Sequence, residues 1–170
     1  MSKVRLYLVR HGKTMFNTIG RAQGWSDTPL TAEGELGIHE LGIGLRESGL
    51  QFDRAYSSDS GRTIQTMGII LEELGLQGKI PYRMDKRIRE WCFGSFDGAY
   101  DGDLFMGLIP RIFNVDHVHQ LSYAELAEGL VEVDTAGWAE GWEKLSGRIK
   151  EGFEAIAKEM EEQGGGNALV

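Results

Sequence analysis

An arginine and a histidine stand side by side near the start of the chain, in the stretch LVRHGKTMFN. A histidine can act as a nucleophile when one ring nitrogen keeps a lone pair and a fixed acceptor holds the other as N–H. His11 could therefore attack phosphorus, and Gly12 would let a substrate approach closely. The planar fork of Arg10 matches phosphate oxygens, and Asn17 adds a neutral donor. These residue types indicate phosphoryl transfer.

Two later segments contain residues suited to the same chemistry. In YSSDSGRTIQT, a cap at Ser57 or Ser58 would place Arg62 in the first turn of a helix, where N–H groups and the dipole favour an anion. In RIREWCFGSFDG, a carboxyl group at Glu90, beside apolar side chains and a phosphate dianion, would stay protonated and could protonate the leaving oxygen. Each segment taken alone also has a simpler explanation. Arg62 could be a solvated surface charge, and Glu90 could pair with a neighbouring arginine.

The elements that must position these residues alternate between strands and helices. Three short strands are predicted within residues 3–9, 52–60 and 79–85, and the first is expected to become a buried central strand. In a parallel sheet, the carboxyl ends of the strands share one edge, so residues that follow the first two strands should meet in one site. The predicted fold class is α/β, with a mainly parallel central sheet and helices on both faces.

Helix signals separate the predicted strands. Thr31 is a plausible N-cap of the first long helix, and Gly75 is expected to end the second. An apolar stripe from Trp138 to Met160 predicts a last helix that packs on the sheet. We expect one domain over residues 1–170, with a lid-like insertion at about 97–136.

Composition excludes several classes of protein. The net charge of −8 argues against a nucleic-acid binder, although a few clustered cations could still bind one small anion. The candidates are Arg10, Lys13, Arg21, Arg62, Arg87 and Arg89. Cys92 is the only cysteine, which excludes an internal disulfide, and we expect it to be a packing residue. No apolar window is long enough for a membrane span, and we predict a cytoplasmic protein without membrane or nucleic-acid partners.

Four motifs, in their order and spacing, resemble the histidine phosphatase superfamily, also called the phosphoglycerate-mutase-like family. They are LVRHGKTMFN, QGWSDTPLTAEG, YSSDSGRTIQT and IREWCFGSFDG, and the resemblance covers most of residues 3–98 plus the final helix and strand start. The resemblance implies a phosphohistidine mechanism with His11 as nucleophile and Glu90 as proton donor. It further implies that phosphate is held by Arg10, Asn17 and Arg62, that Gln23 and Gly24 contact the substrate, and that no metal or other cofactor takes part.

One feature of the family has no match. The family has a second active-site histidine at the end of a late strand, and none of His39, His117 and His119 matches its context. The segment NALV looks like the strand that leads to this histidine, so we expect the chain to stop just short of it. A protein that ended at Val170 would then have little or no activity.

The resulting prediction is a phosphomonoesterase that acts on a small phosphorylated substrate. One alternative is a cofactor-dependent phosphoglycerate mutase, which passes the phosphoryl group to a second substrate hydroxyl. The insertion lacks an obvious basic cluster for a bisphosphorylated cofactor, which favours the phosphatase. A second alternative is a phosphate-binding module without turnover. A metal site at Asp116, His117 and His119 is only weakly indicated, because a clear third ligand is lacking.

Overall fold

The computed structural model of the protein describes residues 3–170. Four parallel strands form its sheet, in the spatial order β1-β4-β2-β3. They are β1 (Val4–Tyr7), β2 (Arg54–Ser57), β3 (Tyr82–Met84) and β4 (Gly166–Leu169). In the register of the sheet, Leu6 lies opposite Ala168, and Ala55 lies opposite both Leu169 and Tyr82. The three strands predicted from the sequence and the strand start at NALV are confirmed.

The position of β1 differs from the prediction. Among the described residues, β1 pairs with β4 alone and lies at an edge of the sheet, so the prediction of a buried central strand is wrong for it. Leu8, which follows β1, is 66% exposed. The strand with neighbours on both sides is β4, where Ala168 and Leu169 are fully buried. Continuous apolar sequence therefore did not distinguish an edge strand from an inner one.

Six α-helices accompany the sheet in residues 3–170. They are α1 (Met15–Thr18), α2 (Ala32–Glu47), α3 (Gly61–Glu73), α4 (Ile109–Phe113), α5 (Tyr123–Val133) and α6 (Trp142–Glu162). A π-helical segment, Gly102–Leu108, precedes α4. Three short 3₁₀ segments are Lys86–Ile88, Gly94–Phe96 and Val118–Gln120. The start predicted for the last helix is wrong, since Trp138 lies before α6 and is 71% exposed.

Helices cover both faces of the sheet, as the sequence predicts. Side chains from α2 and α3 pack with Ala55 and Leu169 on one face. On the other face, Met160 of α6 packs with Tyr56 and Ala168. Adjacent residues of one strand thus enter different cores, which follows from the alternation of side chains along a strand.

The chain divides into two compact units. The sheet unit comprises Met1–Met15, Thr28–Arg89 and Lys150–Val170, and it contains all four strands. The helical unit comprises Phe16–Asp27 and Glu90–Ile149. Its core has its own buried residues, among them Trp91, Leu104, Ile109, Leu130 and Leu145. The insertion predicted at about 97–136 lies within this unit.

Two further findings bear on the predictions from composition. Cys92 is 3% exposed, so it is a packing residue as predicted, and burial raises the pKa of its thiol. Among residues 3–170, no helix combines the length and the apolar character needed to cross a membrane.

Candidate active site

His11 lies four residues after the end of β1 and lines a cavity of about 180 Å³ within the sheet unit. The polar part of the lining comes from His11 and from hydroxyl side chains at the end of β2 and in α3. These hydroxyl residues are Ser57, Ser58, Thr63 and Thr66. Apolar side chains such as Met67, Ile88 and Phe153 complete the wall. The cavity is large enough to accept a group of phosphate size.

The imidazole of His11 is held by the backbone of the next residue. Its Nδ1 atom lies 2.8 Å from the carbonyl oxygen of Gly12. A carbonyl oxygen only accepts hydrogen bonds, so Nδ1 must carry the hydrogen. In the neutral ring, the lone pair is then at Nε2. This is the protonation state that a nucleophilic histidine requires.

The loop that carries His11 is fastened to two helices. The N–H of Gly12 donates to Thr66 Oγ1 at 3.1 Å, and that hydroxyl donates to the carbonyl of Arg62 at 2.8 Å. A Cβ atom on Gly12 would lie 2.8 Å from the carbonyl oxygen of Gly34 in α2. A Cβ atom on Gly34 would clash with the backbone carbonyl of Lys13. Glycine is therefore required at both positions, because the backbone of the His11 loop packs directly against the backbone of α2. The loop cannot move away from α2 and α3 without losing these contacts.

Arg62 is the second residue of α3 and is 2% exposed. The prediction that it lies in the first turn of a helix is confirmed. The predicted cap is wrong, because the N-cap of α3 is Ser60. Ser57 instead ends β2 and donates to the carbonyl of Ser58, whose hydroxyl lies 2.8 Å from that of Thr63. As the second residue of α3, Arg62 still belongs to the turn where the helix dipole favours an anion.

The six cations that the sequence offered for an anion site have different surroundings. Lys13 pairs with Glu33 at 2.7 Å. In the helical unit, Arg21 stacks on the ring of Tyr100 at 4.0 Å and donates to a backbone carbonyl. Both side chains thus interact with other groups of the protein.

Two more of the cations are occupied by neighbouring carboxylates. Arg89 donates to both oxygens of Asp59, at 2.5 and 2.6 Å, and this hydrogen bonding lowers the pKa of Asp59. Arg87 holds Asp85 in the same way and lowers the pKa of that carboxyl. Asp59 directly precedes the N-cap of α3, so Arg89 compensates an acidic charge just before the start of this helix. Of the other two cations, Arg10 is exposed, whereas Arg62 is 2% exposed.

The remaining predicted site residues belong to the helical unit. Asn17 lies in α1 and is exposed, as is Glu90, whose Oε1 accepts the N–H of Trp91 at 2.8 Å. Gly24 follows Gln23 and is buried, and a Cβ atom on it would clash with the carbonyl oxygen of Trp91. The backbone at Gly24 therefore packs directly against the segment that carries Glu90.

Three residues of this region were not predicted from the sequence. Asp97 accepts the N–H of Gly24 at 2.7 Å and also the N–H groups of Trp25 and Ser26, so it shapes the loop of Gly24. It falls within the quoted motif IREWCFGSFDG, which was a usable signal. Glu140 and Arg148 form a buried ion pair at 2.5 Å. They are distant in sequence from every motif, so only folding reveals them.

The other histidines have separate roles. His39 lies in α2, and its Nδ1 is 2.8 Å from Glu73 Oε1, a bond that lowers the pKa of Glu73. His117 and His119 are exposed. Within residues 3–170, no group of three or more His, Cys, Asp or Glu side chains is arranged to hold a metal ion.

Comparisons with known proteins show the family to which the chain is similar. A family model described as histidine phosphatase superfamily (branch 1) matches residues 6–106. The 2,3-bisphosphoglycerate-dependent phosphoglycerate mutase 1 of Latilactobacillus sakei is 34% identical over 133 residues, which cover 77% of this chain and 54% of that protein. The chain therefore spans about half the length of this curated relative.

Solved structures show the same fold. The phosphoglycerate mutase from Bacillus anthracis superposes with a TM-score of 0.91 at 37% identity, and the match covers 99% of this chain and 74% of that one. A protein from Escherichia coli, described as a candidate alpha-ribazole-5′-P phosphatase, superposes with a TM-score of 0.73 at 25% identity over 99% of this chain and 72% of that one. Both a mutase and a candidate phosphatase thus have this fold.

Proposed function

Because the chain belongs to the histidine phosphatase superfamily, we propose that it transfers phosphoryl groups through a phosphohistidine formed on His11. The hydrogen bond from His11 Nδ1 to the carbonyl of Gly12 carries this proposal, since it leaves the lone pair at Nε2. Nε2 forms a bond to phosphorus while the bond from phosphorus to the ester oxygen breaks. A proton from Glu90 neutralises the leaving oxygen. In the second step, an acceptor hydroxyl attacks phosphorus, loses its proton to Glu90 and releases His11.

Positive charge supports this transfer. Phosphoryl transfer depends chiefly on positioning and on stabilising charge at the phosphate oxygens. We propose that Arg62 supplies this stabilisation from the first turn of α3, together with Arg10 and Asn17. Gln23 and Gly24 are proposed to contact the substrate. The roles of Arg10, Asn17, Gln23, Gly24 and Glu90 rest on the matching sequence motifs.

The acceptor decides between two activities. The mutase names of the relatives favour a phosphoglycerate hydroxyl as the acceptor, so we propose phosphoglycerate-mutase activity as the first candidate. Hydrolysis, with water as acceptor, is the second candidate. It is favoured by the charge of the helical unit, which has 4 Lys and Arg side chains and 12 Asp and Glu side chains. A bisphosphorylated cofactor would be repelled by such a surface, whereas one phosphate needs only local cations.

Labelling separates the candidates. A protein incubated with a ³²P-labelled phosphomonoester and quenched in alkali should carry label on His11, and a His11→Ala variant should carry none. The matched control is His39→Ala, which removes the other histidine of the sheet unit and should label like the wild type. Transfer of the label to phosphoglycerate indicates the mutase, and its release as inorganic phosphate indicates the phosphatase. Ligand binding without any labelled histidine would contradict both and indicate a phosphate-binding module.

We also propose that turnover needs the second histidine that the family resemblance implies. His39, bonded to Glu73 on α2, does not match its context. Residues 1–170 alone should then show no more turnover than their His11→Ala variant. Steady turnover by residues 1–170, lost on substitution of His11, would contradict this proposal and leave the phosphohistidine mechanism intact.

A further inference from the structure

The helical unit contains a carboxylate that is completely shielded from solvent. Glu140 is 0% exposed, and both of its oxygens accept hydrogen bonds from Arg148, at 2.8 Å from Nε and 2.5 Å from Nη2. A buried ion pair contributes little net stability, because the desolvation of both charges offsets their attraction. Its presence in a core therefore calls for another explanation.

Several partners of this ion pair lie on one short segment of the chain. Glu140 Oε2 accepts the N–H of Cys92 at 3.1 Å, and the N–H of Glu140 donates to the carbonyl of Cys92 at 3.0 Å. The indole of Trp91 donates to the carbonyl of Glu140 at 2.8 Å. Arg148 Nη2 donates to the carbonyl of Glu90 at 3.2 Å. Three consecutive residues, 90 to 92, are thus tied to the pair.

The same carbonyl of Glu90 receives a second donor. The indole Nε1 of Trp25 donates to it at 3.0 Å. The carboxylate of Glu90 in turn accepts the N–H of Trp91, which belongs to the segment held by Glu140. Although the side chain of Glu90 is exposed, its backbone is held from two sides. A proton donor contributes to catalysis only when it is held within hydrogen-bond reach of the leaving oxygen.

From these contacts we infer that Glu140 and Arg148 are positioning residues for the proton donor Glu90. The inference rests on the proposed function, because it assigns the pair a part in protonating the leaving group. The pair acts through the backbone of residues 90–92 and does not touch the substrate. Loosening this segment should leave the attack by His11 intact and weaken proton transfer from Glu90.

The test compares two leaving groups in the phosphorylation of His11. The 4-nitrophenolate ion is a weak base and leaves with little help, whereas an alkoxide must be protonated as the bond breaks. A double variant, Glu140→Leu with Arg148→Met, replaces the ion pair by apolar side chains, an exchange that proteins often tolerate without loss of stability. We expect it to lower the rate of His11 phosphorylation by about 100-fold with an alkyl phosphate and by no more than about 3-fold with 4-nitrophenyl phosphate.

The matched control removes an ion pair from α6, the helix that contains Arg148. Lys150→Met with Glu154→Leu makes the same changes of charge at an exposed pair of α6, and both rates should stay at the wild-type level. Glu90→Gln should show the same selective loss as the Glu140 and Arg148 double variant, to a greater degree.

A second measurement reports on the segment itself and needs no turnover. Hydrogen exchange of the Trp25 indole and of the Cys92 amide, followed by NMR, should be at least about 10-fold faster in the Glu140 and Arg148 double variant. If the double variant lowers the rate of His11 phosphorylation equally with both leaving groups, or with neither, the positioning role is wrong even if hydrogen exchange is faster. A wild-type protein that forms no phosphohistidine would overturn the proposed function and this inference together.

Discussion

The sheet unit and the helical unit differ in charge as much as in structure. The sheet unit carries 14 Lys and Arg side chains and 14 Asp and Glu side chains, so it is neutral. The helical unit carries 4 Lys and Arg side chains and 12 Asp and Glu side chains, so it accounts for the whole net charge of −8. The average over the chain therefore describes neither unit. An acidic chain can contain a neutral region, and the phosphate site proposed at His11 and Arg62 lies in this region.

The two units also differ in regularity. In the sheet unit, long helices alternate with parallel strands, and one cavity contains His11. The helical unit combines short α-helices with π and 3₁₀ segments, and its loops are shaped by carboxylates that accept several backbone N–H groups. All four tryptophans belong to the helical unit, so tryptophan fluorescence reports on it alone. Amide exchange in β2 and β4 reports on the sheet unit.

The largest effect is expected from Gly34→Ala in the sheet unit. The new Cβ atom would clash with the backbone carbonyl of Lys13, and backbone has little freedom to move away. We expect the free energy of unfolding to fall by more than about 3 kcal/mol, measured by amide exchange in β2 and β4. Gly44→Ala on the same helix is the matched control. Nothing lies within 4 Å of its Cβ, and it should raise stability by up to about 1 kcal/mol.

This pair of variants also tests whether the units unfold together. If Gly34→Ala lowers the free energy of unfolding equally by tryptophan fluorescence in urea and by amide exchange, the two units unfold together in one cooperative transition. If fluorescence is unchanged, the helical unit is stable on its own. A variant as stable as the wild type by both probes would contradict the close contact between Gly34 and Lys13.

A smaller loss is expected from Asp134→Ala in the helical unit. The Asp134 carboxylate accepts the N–H groups of Trp138 and Ala139 at 2.6 and 2.7 Å, and those of Ser95 and Ala136 at 2.8 and 3.0 Å. Four backbone N–H groups would lose their acceptor, and several of them would donate to water instead. We expect the free energy of unfolding, measured by tryptophan fluorescence, to fall by about 2 kcal/mol. The control Asp116→Ala changes an exposed carboxylate and should shift the transition by less than about 0.5 kcal/mol.

The same carboxylate should make the helical unit sensitive to acid. Burial acts to raise the pKa of Asp134, but the hydrogen bonds from Ser95, Ala136 and Ala139 outweigh it, so the pKa lies well below its usual range. A depressed pKa in the folded state contributes stability that is complete above about pH 5 and is lost as pH falls towards the folded value. Between pH 4 and pH 2, the free energy of unfolding should therefore fall by on the order of 1 kcal/mol less in Asp134→Asn than in the wild type. Parallel pH profiles of the two proteins would contradict this assignment.

The smallest effect is expected from Trp138→Ala. This indole is 71% exposed, so its removal should change the free energy of unfolding by less than about 0.5 kcal/mol. Trp91→Ala is the matched control, because Trp91 is 8% exposed and lies in the core of the helical unit. Truncation of a buried aromatic ring typically costs about 3 kcal/mol or more. Similar losses in both variants would mean that Trp138 packs against the protein.

Several features of the active site could be read from the sequence because they depend on local geometry. A polar pair directly after an apolar strand predicted that His11 follows β1, and a serine-rich turn before a helical repeat predicted Arg62 in a first turn. The exact cap could not be predicted, because Ser57, Ser58 and Ser60 are all competent caps in sequence. Ser60 is used because β2 extends through Ser57, and that extension depends on its pairing with β3.

By itself, the sequence determined the α/β class, the family and the residues that could carry phosphoryl transfer, because periodicity and motif spacing are properties of the chain. The tertiary structure alone decided the order of the strands, with β4 inside and β1 at an edge. It also decided the pairing of Glu140 with Arg148 and the division of charge between the two units. These features join residues distant along the chain, and their partners are selected by burial and hydrogen bonding in three dimensions.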